Sequence, residues 1–236
     1  MSDSGEMFGA EPERVSDAGG AGVVSSIRPV AGRDAWCWVC VDGRRVGAIT
    51  GRGLERLGLE VGSAWTPVLA AAFEDECAFA RAVRDAGRWL RSRARSVAWV
   101  RARLAEKGHP EAAIERAIEA LKRDGLLDDA RAAAGAADRM AGRGLAAGLI
   151  EFKLQRAGIA ASDAGEAVRE AVRGETALDR AERLVRSRLA VARSGRAAGD
   201  ARLRARLFRL LAWNGFDEET SVEALRRVLG DRGEEE

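Results

Sequence analysis

One phrase recurs three times in this 236-residue chain, and its period limits the fold more than any other feature. A basic, apolar-periodic run ends at a glycine. A bulky residue follows, then a polar pair or proline, and a second apolar-periodic run begins. The copies span residues 100–109, 150–159 and 206–216, with their glycines at Gly108, Gly158 and Gly215, which lie 50 and 57 residues apart. A repeat of roughly fifty residues specifies stacked helical units rather than one compact enzyme core.

Composition agrees with that reading. The chain is 47% hydrophobic, 32% charged and 5% aromatic, which suits amphipathic helices better than a thick β-sandwich. The net charge is +2, but the charge is unevenly placed. Residues 81–107 hold nine Arg/Lys and two acids, Asp85 and Glu106; residues 176–213 hold ten Arg and three acids, Asp179, Glu182 and Asp200. Acids pool in the first twenty residues and in Glu234, Glu235 and Glu236. Two basic stripes between acidic ends point to a polyanionic or acidic partner. The plainer reading of any single Arg is a solvated helix face. The N-terminus has no apolar run of the signal-peptide kind, and no stretch has the ~18–20 apolar residues that span a bilayer. With three cysteines, these features predict a reducing cytoplasmic setting.

Along the chain, residues 1–22 read as an acidic disordered tail. Residues 24–30, 35–41 and 45–49 read as strands, Asp42-Gly43 as a tight hairpin turn, and Pro29 as an edge marker. A short helix near Leu54 stops at Gly58, and Thr66-Pro67 is a helix start. Beyond it everything is helical. Phe79, Val83, Ala86 and Leu90 are spaced to share one buried face over residues 73–93. Ser96 is an N-cap for a helix with Val97, Val100 and Leu104 inward and Arg95, Arg101 and Arg103 outward. Ile114, Ala117, Ile118 and Leu121 mark the next helix. Asp124-Gly125 ends it, and Asp128 or Asp129 caps the following one. Helices are then expected over 131–140, 145–157, 163–173, 178–192, 200–213 and 218–229. At each corner the glycine occupies the left-handed position closing a helix, and His109, Ile159 or Phe216 packs onto the next turn, with Asp217 capping. The fold class is mainly α: tandem three-helix repeats forming an elongated curved array, with a small N-terminal β-hairpin module. The module covers 23–75, the repeats 76–127, 128–175 and 176–230, and an acidic tail 231–236.

Catalytic chemistry is scarce. The single histidine, His109, sits at a helix corner with no second group spaced to orient it, so a packing role is expected. Cys37 and Cys40 have the spacing of a zinc or redox pair, but three apart on a strand they point to opposite faces. Gly142-Arg143-Gly144 lacks the strand and lysine of a phosphate loop. Asp128-Asp129 fits a cap rather than a dyad. Trp36 and Trp38 share one strand face; base stacking is open to them, while cover over the module's core is the expected role.

Residues 95–108, residues 121–129 and Asn214-Gly215-Phe216-Asp217-Glu218, in this order and spacing, resemble the RecX regulatory proteins. The hairpin at Val39-Cys40-Val41-Asp42-Gly43 and the corner over residues 57–62 are similar to that family's N-terminal module. Two departures stand out. Residues 130–134 are Ala-Arg-Ala-Ala-Ala where the family carries an acid and an aromatic, and Trp99 replaces the Glu that would complete a capping box with Ser96. The resemblance implies a non-enzymatic, cytoplasmic, monomeric regulator of the bacterial recombinase RecA in recombination and repair. Its partner would be the RecA filament on single-stranded DNA, with weak direct DNA contact secondary. Binding along the filament groove would interfere with ATP turnover and strand exchange. Candidate contact residues are Arg95, Arg101, Arg103, Lys107, Arg143, Lys153, Arg156, Arg202, Arg204, Arg206 and Arg209; no catalytic, cofactor or metal residue is expected. The rival is a direct DNA binder built from helix-turn-helix-like units. The third helices, rich in Glu and Ala, are poor base readers.

Overall fold

The computed structural model describes residues 21–30, 33–192 and 200–230. Residues 1–20 of the acidic tail expected over 1–22, and the tail at 231–236, lie outside the described residues, while Gly22 belongs to the first strand. Strands β1 (Gly22–Val30), β2 (Arg33–Val41), β3 (Arg44–Thr50) and β4 (Ala64–Trp65) form one antiparallel sheet in the order β3-β2-β1-β4. Asp42 and Gly43 turn the β2–β3 hairpin with φ of 47° and 78°, the two positive values that match strand twist. Pro29 pairs with Cys37 on β2, while β4 reaches only Gly22 and Val23 on the other side of β1. The proline therefore sits where no ladder bond is asked of its nitrogen.

Ten helices follow among the described residues: α1 (Gly51–Leu57), α2 (Pro67–Leu90), α3 (Val97–Glu106), α4 (Glu111–Arg123), α5 (Asp129–Gly142), α6 (Ala147–Arg156), α7 (Ala161–Ala171), α8 (Ala177–Ala192), α9 (Asp200–Trp213) and α10 (Glu218–Leu229). They group into two compact units. One holds residues 21–91 and 101–126, the other 92–100 and 127–230.

The first unit is built on the inner face of the sheet. Val24, Val39, Val41 and Ile49 pack there against Trp65, Phe73 and Cys77, and Trp65 meets Phe73 edge-on at 5.3 Å. Thr66 caps α2 by accepting from the Leu69 amide at 3.2 Å. The expected inner face of α2 does not form as drawn. Ala86 is fully buried, but Phe79, Val83 and Leu90 are half-buried. The interior takes Phe73, Cys77 and five alanines, together with two acids, Glu76 and Asp85. The acids are tolerated because each is paired. Arg56 and Arg116 both bind Glu76, the latter at 2.8 Å, and the same guanidiniums lie 5.4 and 4.5 Å over the Phe79 ring.

Three equivalent second helices, α3, α6 and α9, carry the repeat. Four residues before each corner glycine stand Leu104, Leu154 and Leu211; eight before stand Val100, Ile150 and Leu207, all at most 4% exposed. The third helices repeat the same economy, burying Ile118, Val168 and Leu225 ten residues after the glycine. In each repeat the first helix packs on the third: α2 on α4, α5 on α7, α8 on α10. Each corner closes identically. The residue after the glycine donates back to the buried leucine carbonyl: His109 to Leu104, Ile159 to Leu154 and Phe216 to Leu211, at 3.1–3.2 Å. Glycine donates to the residue three before it, at 2.9–3.0 Å. This is the glycine-closed helix end, with φ between 77° and 85°. Ile159 and Phe216 are buried as staples, and Asp217 caps α10 through the Thr220 amide at 2.8 Å.

Within the second unit, successive second helices meet end to end. Ser96, which caps α3 through the Trp99 amide, also donates from Oγ to the Ala157 carbonyl at 2.8 Å. One repeat later, Ala146 donates from its amide to the Asn214 carbonyl at 2.7 Å. Each joint sets a helix N-terminus against the last carbonyls of the next repeat's second helix, where opposite ends of the helix dipole attract. Both acids after Leu127 serve these ends. Asp128 caps α5 through the Arg131 amide, and Asp129 accepts from Val97 at the start of α3 at 2.7 Å.

Candidate partner-binding surface

The four candidate cations of the first stripe, Arg95, Arg101, Arg103 and Lys107, are engaged within the fold. Arg101 sits between Glu111, at 3.3 Å, and Glu115, and Arg103 pairs with Glu106 at 2.6 Å. Lys107 donates to Asp85 at 2.9 Å. Arg95 does not fan outward. It is half-buried, its guanidinium lies 4.1 Å over the Trp99 ring, and its Nε is buried with no hydrogen-bond partner. Burial, with the nearby charges of Arg93 and Arg139, pushes its pKa down. Trp99, where a capping-box Glu was expected, thus serves as a stacking plate.

His109 also departs from expectation. Its Nε2 lies 3.1 Å from Asp85 Oδ2, so a second group does orient it. Asp85 is 4% exposed and is shared by Lys107, His109 and Arg84. Burial raises its pKa, but the hydrogen bonds from Lys107 and His109 and the Arg84 charge outweigh burial and hold the carboxyl below its ordinary range. The cluster is an ion-paired corner support joining α2 to the loop after α3. Sequence reading missed it because Asp85 and His109 are 24 positions apart; a lone acid within an arginine-rich helix was the available signal.

The second stripe divides. Arg180 is 2% exposed and donates to the Leu145 carbonyl, Arg183 pairs with Glu175, and Arg186 pairs with Glu182. Arg204 donates to the Gly230 carbonyl at 2.9 Å. By contrast, Arg143, Lys153, Arg156, Arg202, Arg206 and Arg209 are exposed and have no acidic partner among the described residues. Arg202, Arg206 and Arg209 stand four and three apart on α9 and so share a face. Arg156 lies 5.7 Å over Phe152, which is itself 53% exposed. Beside the α9 cations, Phe208, Val222 and Leu225 with the stems of Arg204 and Arg209 line an open groove of about 700 Å³ between α9 and α10. Free cations next to an apolar groove fit an acidic, partly apolar partner surface.

Cys37 and Cys40 lie on opposite faces of β2. Between them β2 has no inserted residue, because the nearby irregularities place their extra residues, Ser25 and Val46, in the neighbouring strands, and the one at Pro29/Val30 lies before Cys37. Among the described residues no group of three His, Cys, Asp or Glu could hold a metal ion, and no helix is long and apolar enough to cross a membrane.

Known proteins match this arrangement. A family model described as "RecX, first three-helix domain" matches residues 82–121. Regulatory protein RecX of Mycobacterium avium (strain 104) is 32% identical over 143 residues, covering 60% of this chain and 81% of that protein. The chain belongs to the RecX family. A solved structure titled "Crystal structure of regulatory protein RecX" is similar with a TM-score of 0.64 at 20% identity, covering 88% of this chain and 98% of the other. At that identity the likeness speaks for the fold, which for this RecX-family chain is mainly helical with a small N-terminal sheet.

Proposed function

We propose that this chain regulates a RecA-type recombinase by seating along the recombinase–single-stranded DNA filament and slowing its ATP turnover and strand exchange. The observation that carries this reading is the set of exposed cations on α6 and α9, Lys153, Arg156, Arg202, Arg206 and Arg209, that pair with no acid among the described residues. A nucleoprotein filament presents acidic side chains and phosphate together, and unpaired guanidiniums suit both. Family membership supplies the recombinase; the chain acts without chemistry of its own, as a monomer in the cytoplasm. Arg143 lies at the end of α5 and joins this set. Arg95, Arg101, Arg103 and Lys107 contribute less, because their charges are already engaged; Arg204 and Arg209 each give one N–H to a backbone carbonyl and keep their charge.

The test is recombinase ATP hydrolysis on single-stranded DNA with the protein titrated in. Suppression is expected at concentrations where bare DNA is hardly bound. Suppression that begins only when bare DNA is saturated would assign the effect to competition for DNA, and the helix-turn-helix reading would replace this one. Such a binder would lose ~10³–10⁵ in affinity between 50 and 200 mM salt if it made 6–10 phosphate contacts.

A further inference from the structure

The outer face of the N-terminal sheet carries a feature that the first unit's core does not use. Val39 and Val41 of β2 point into the first unit's core, so Trp36, Trp38 and Cys40, which alternate with them, point the other way. The two tryptophans are not covering the core, contrary to the sequence expectation. They are half-buried, and neither joins the apolar cluster that includes even the partly buried Ile27, Val46, Leu54, Leu57 and Leu69. Their direct cross-strand neighbours on β3 are small, Thr50 opposite Trp36 and Ala48 opposite Trp38, so neither ring faces a bulky side chain across the ladder. Arg28 lies opposite Trp38 on β1 and is exposed. Arg45, also exposed, lays its guanidinium 4.1 Å over the Trp38 ring. The strand residues with described side chains include no carboxylate on either face.

From this juxtaposition we infer that the outer face of β1–β3 is a stacking platform for single-stranded DNA, taking two successive bases on Trp36 and Trp38 and the adjoining phosphates on Arg28 and Arg45. Two residues of strand separate the rings by about 6.8 Å at ~3.4 Å per residue, a spacing that splays neighbouring bases apart instead of leaving them stacked on each other. Duplex bases cannot present their faces this way; single-strand bases can, and every base has a face to offer. The Arg45 guanidinium over the Trp38 ring shows that this ring face has room for a planar group. An incoming base takes that place, and Arg45 moves to the phosphate. The choice of DNA over RNA rests on the filament reading above; the stacking itself does not.

The experiment uses the full chain and a fluorescent oligo-dT of about a dozen nucleotides at low salt, followed by anisotropy. Weak, saturable binding is expected, with little binding to a duplex of equal length. W36L/W38L should lower the affinity about tenfold or more, since each stacked base contributes substantially. R28A/R45A should weaken binding and flatten the slope of log affinity against log salt by about 1.4, for two phosphate contacts on a single strand. Wild-type affinity in a W36L/W38L protein with unchanged thermal unfolding overturns the platform. If that variant does not fold, unchanged affinity and salt slope in R28A/R45A overturn it instead. So does preference for duplex, and tighter binding of oligo-rU would overturn the choice of DNA. Recombinase ATPase read in parallel separates the two readings. Suppression without oligonucleotide binding removes the platform alone, and oligonucleotide binding without suppression removes the filament reading alone.

Discussion

The helix α3 and its counterparts α6 and α9 share a core pattern and a corner, yet they use their surroundings in opposite ways. At α3 the basic residues are consumed internally, with Arg101 between Glu111 and Glu115 and Lys107 on Asp85. Its corner glycine, by contrast, has open space: a Cβ built on Gly108 meets nothing within 4 Å. On α6 and α9 the exposed Lys153, Arg156, Arg202, Arg206 and Arg209 have no acidic partner among the described residues, while the corners are clamped. A Cβ on Gly158 would lie 2.3 Å from the Ala98 Cβ, and one on Gly215 2.6 Å from the Leu149 Cβ. Ala98 and Leu149 stand near the start of α3 and α6, so each clamp is the end-to-end joint between successive repeats. A corner glycine thus answers two demands, a left-handed backbone and a close approach, and only the later two face both.

The largest expected effect tests that difference. Gly158→Ala and Gly215→Ala combine left-handed strain with overpacking and should cost about 2–5 kcal/mol each. Gly108→Ala bears the strain alone, about 1–2 kcal/mol. Denaturant midpoints of the three variants measure the ranking, and equal losses at all three corners would show that the joints contribute nothing beyond backbone conformation.

Next in size is the α3 corner's own support. Asp85→Ala leaves Lys107, His109 and Arg84 without their shared carboxylate and should cost about 2 kcal/mol. The pH dependence has a definite sign. The Asp85 pKa is depressed in the folded state, so its contribution is fully present above the unfolded carboxylate pKa near ~3.9 and is lost as pH falls through the folded value. Wild-type stability should therefore drop more steeply with acid below about pH 4 than that of the variant. Parallel slopes would show that the carboxylate's pairing is not coupled to folding.

What was legible in the sequence follows from how far apart the participants stand. Thr66, Ser96, Asp128 and Asp217 as caps, and Gly108, Gly158 and Gly215 as stops, act within one helical turn, so local spacing revealed them. The face of α2 was misplaced because Phe79 is covered by Arg56 and Arg116, which lie 23 and 37 positions away, and not by a hydrophobic neighbour. The tryptophans were placed inward because their parity relative to Val39 carries no sign until one residue is known to face the core. Arg101 read as a free charge because nothing in its own helix hints at Glu111 and Glu115 across the corner. Charge stripes in sequence count residues, whereas a partner meets only those left unpaired.

That distinction sets the third expectation. Arg202→Ala with Arg206→Ala should raise the concentration needed for half-suppression of recombinase ATPase about tenfold, equivalent to ~1.4 kcal/mol. Arg101→Ala with Arg103→Ala should raise it about twofold or less, with a stability change of about 0.5–1 kcal/mol from lost surface pairs. A larger functional loss from the α3 pair would mean that the filament competes successfully for ion-paired arginines.

The smallest effect asks whether pairing alone separates α3 from α6 and α9. Glu111→Gln with Glu115→Gln keeps the shape of both side chains and removes the charges that hold Arg101, which is 40% exposed. Exposed pairs of this kind contribute little to stability, so unfolding should change by under about 1 kcal/mol. The released guanidinium joins the free cations, and two negative charges leave the same surface. Half-suppression should then need about half the protein at low salt, and the gain should fade as salt shortens the reach of surface charge to ~8 Å at 0.15 M. Unchanged suppression at low salt, with an intact fold, would show that position as well as pairing keeps α3 out of the contact, and would confine the partner surface to the second and third repeats.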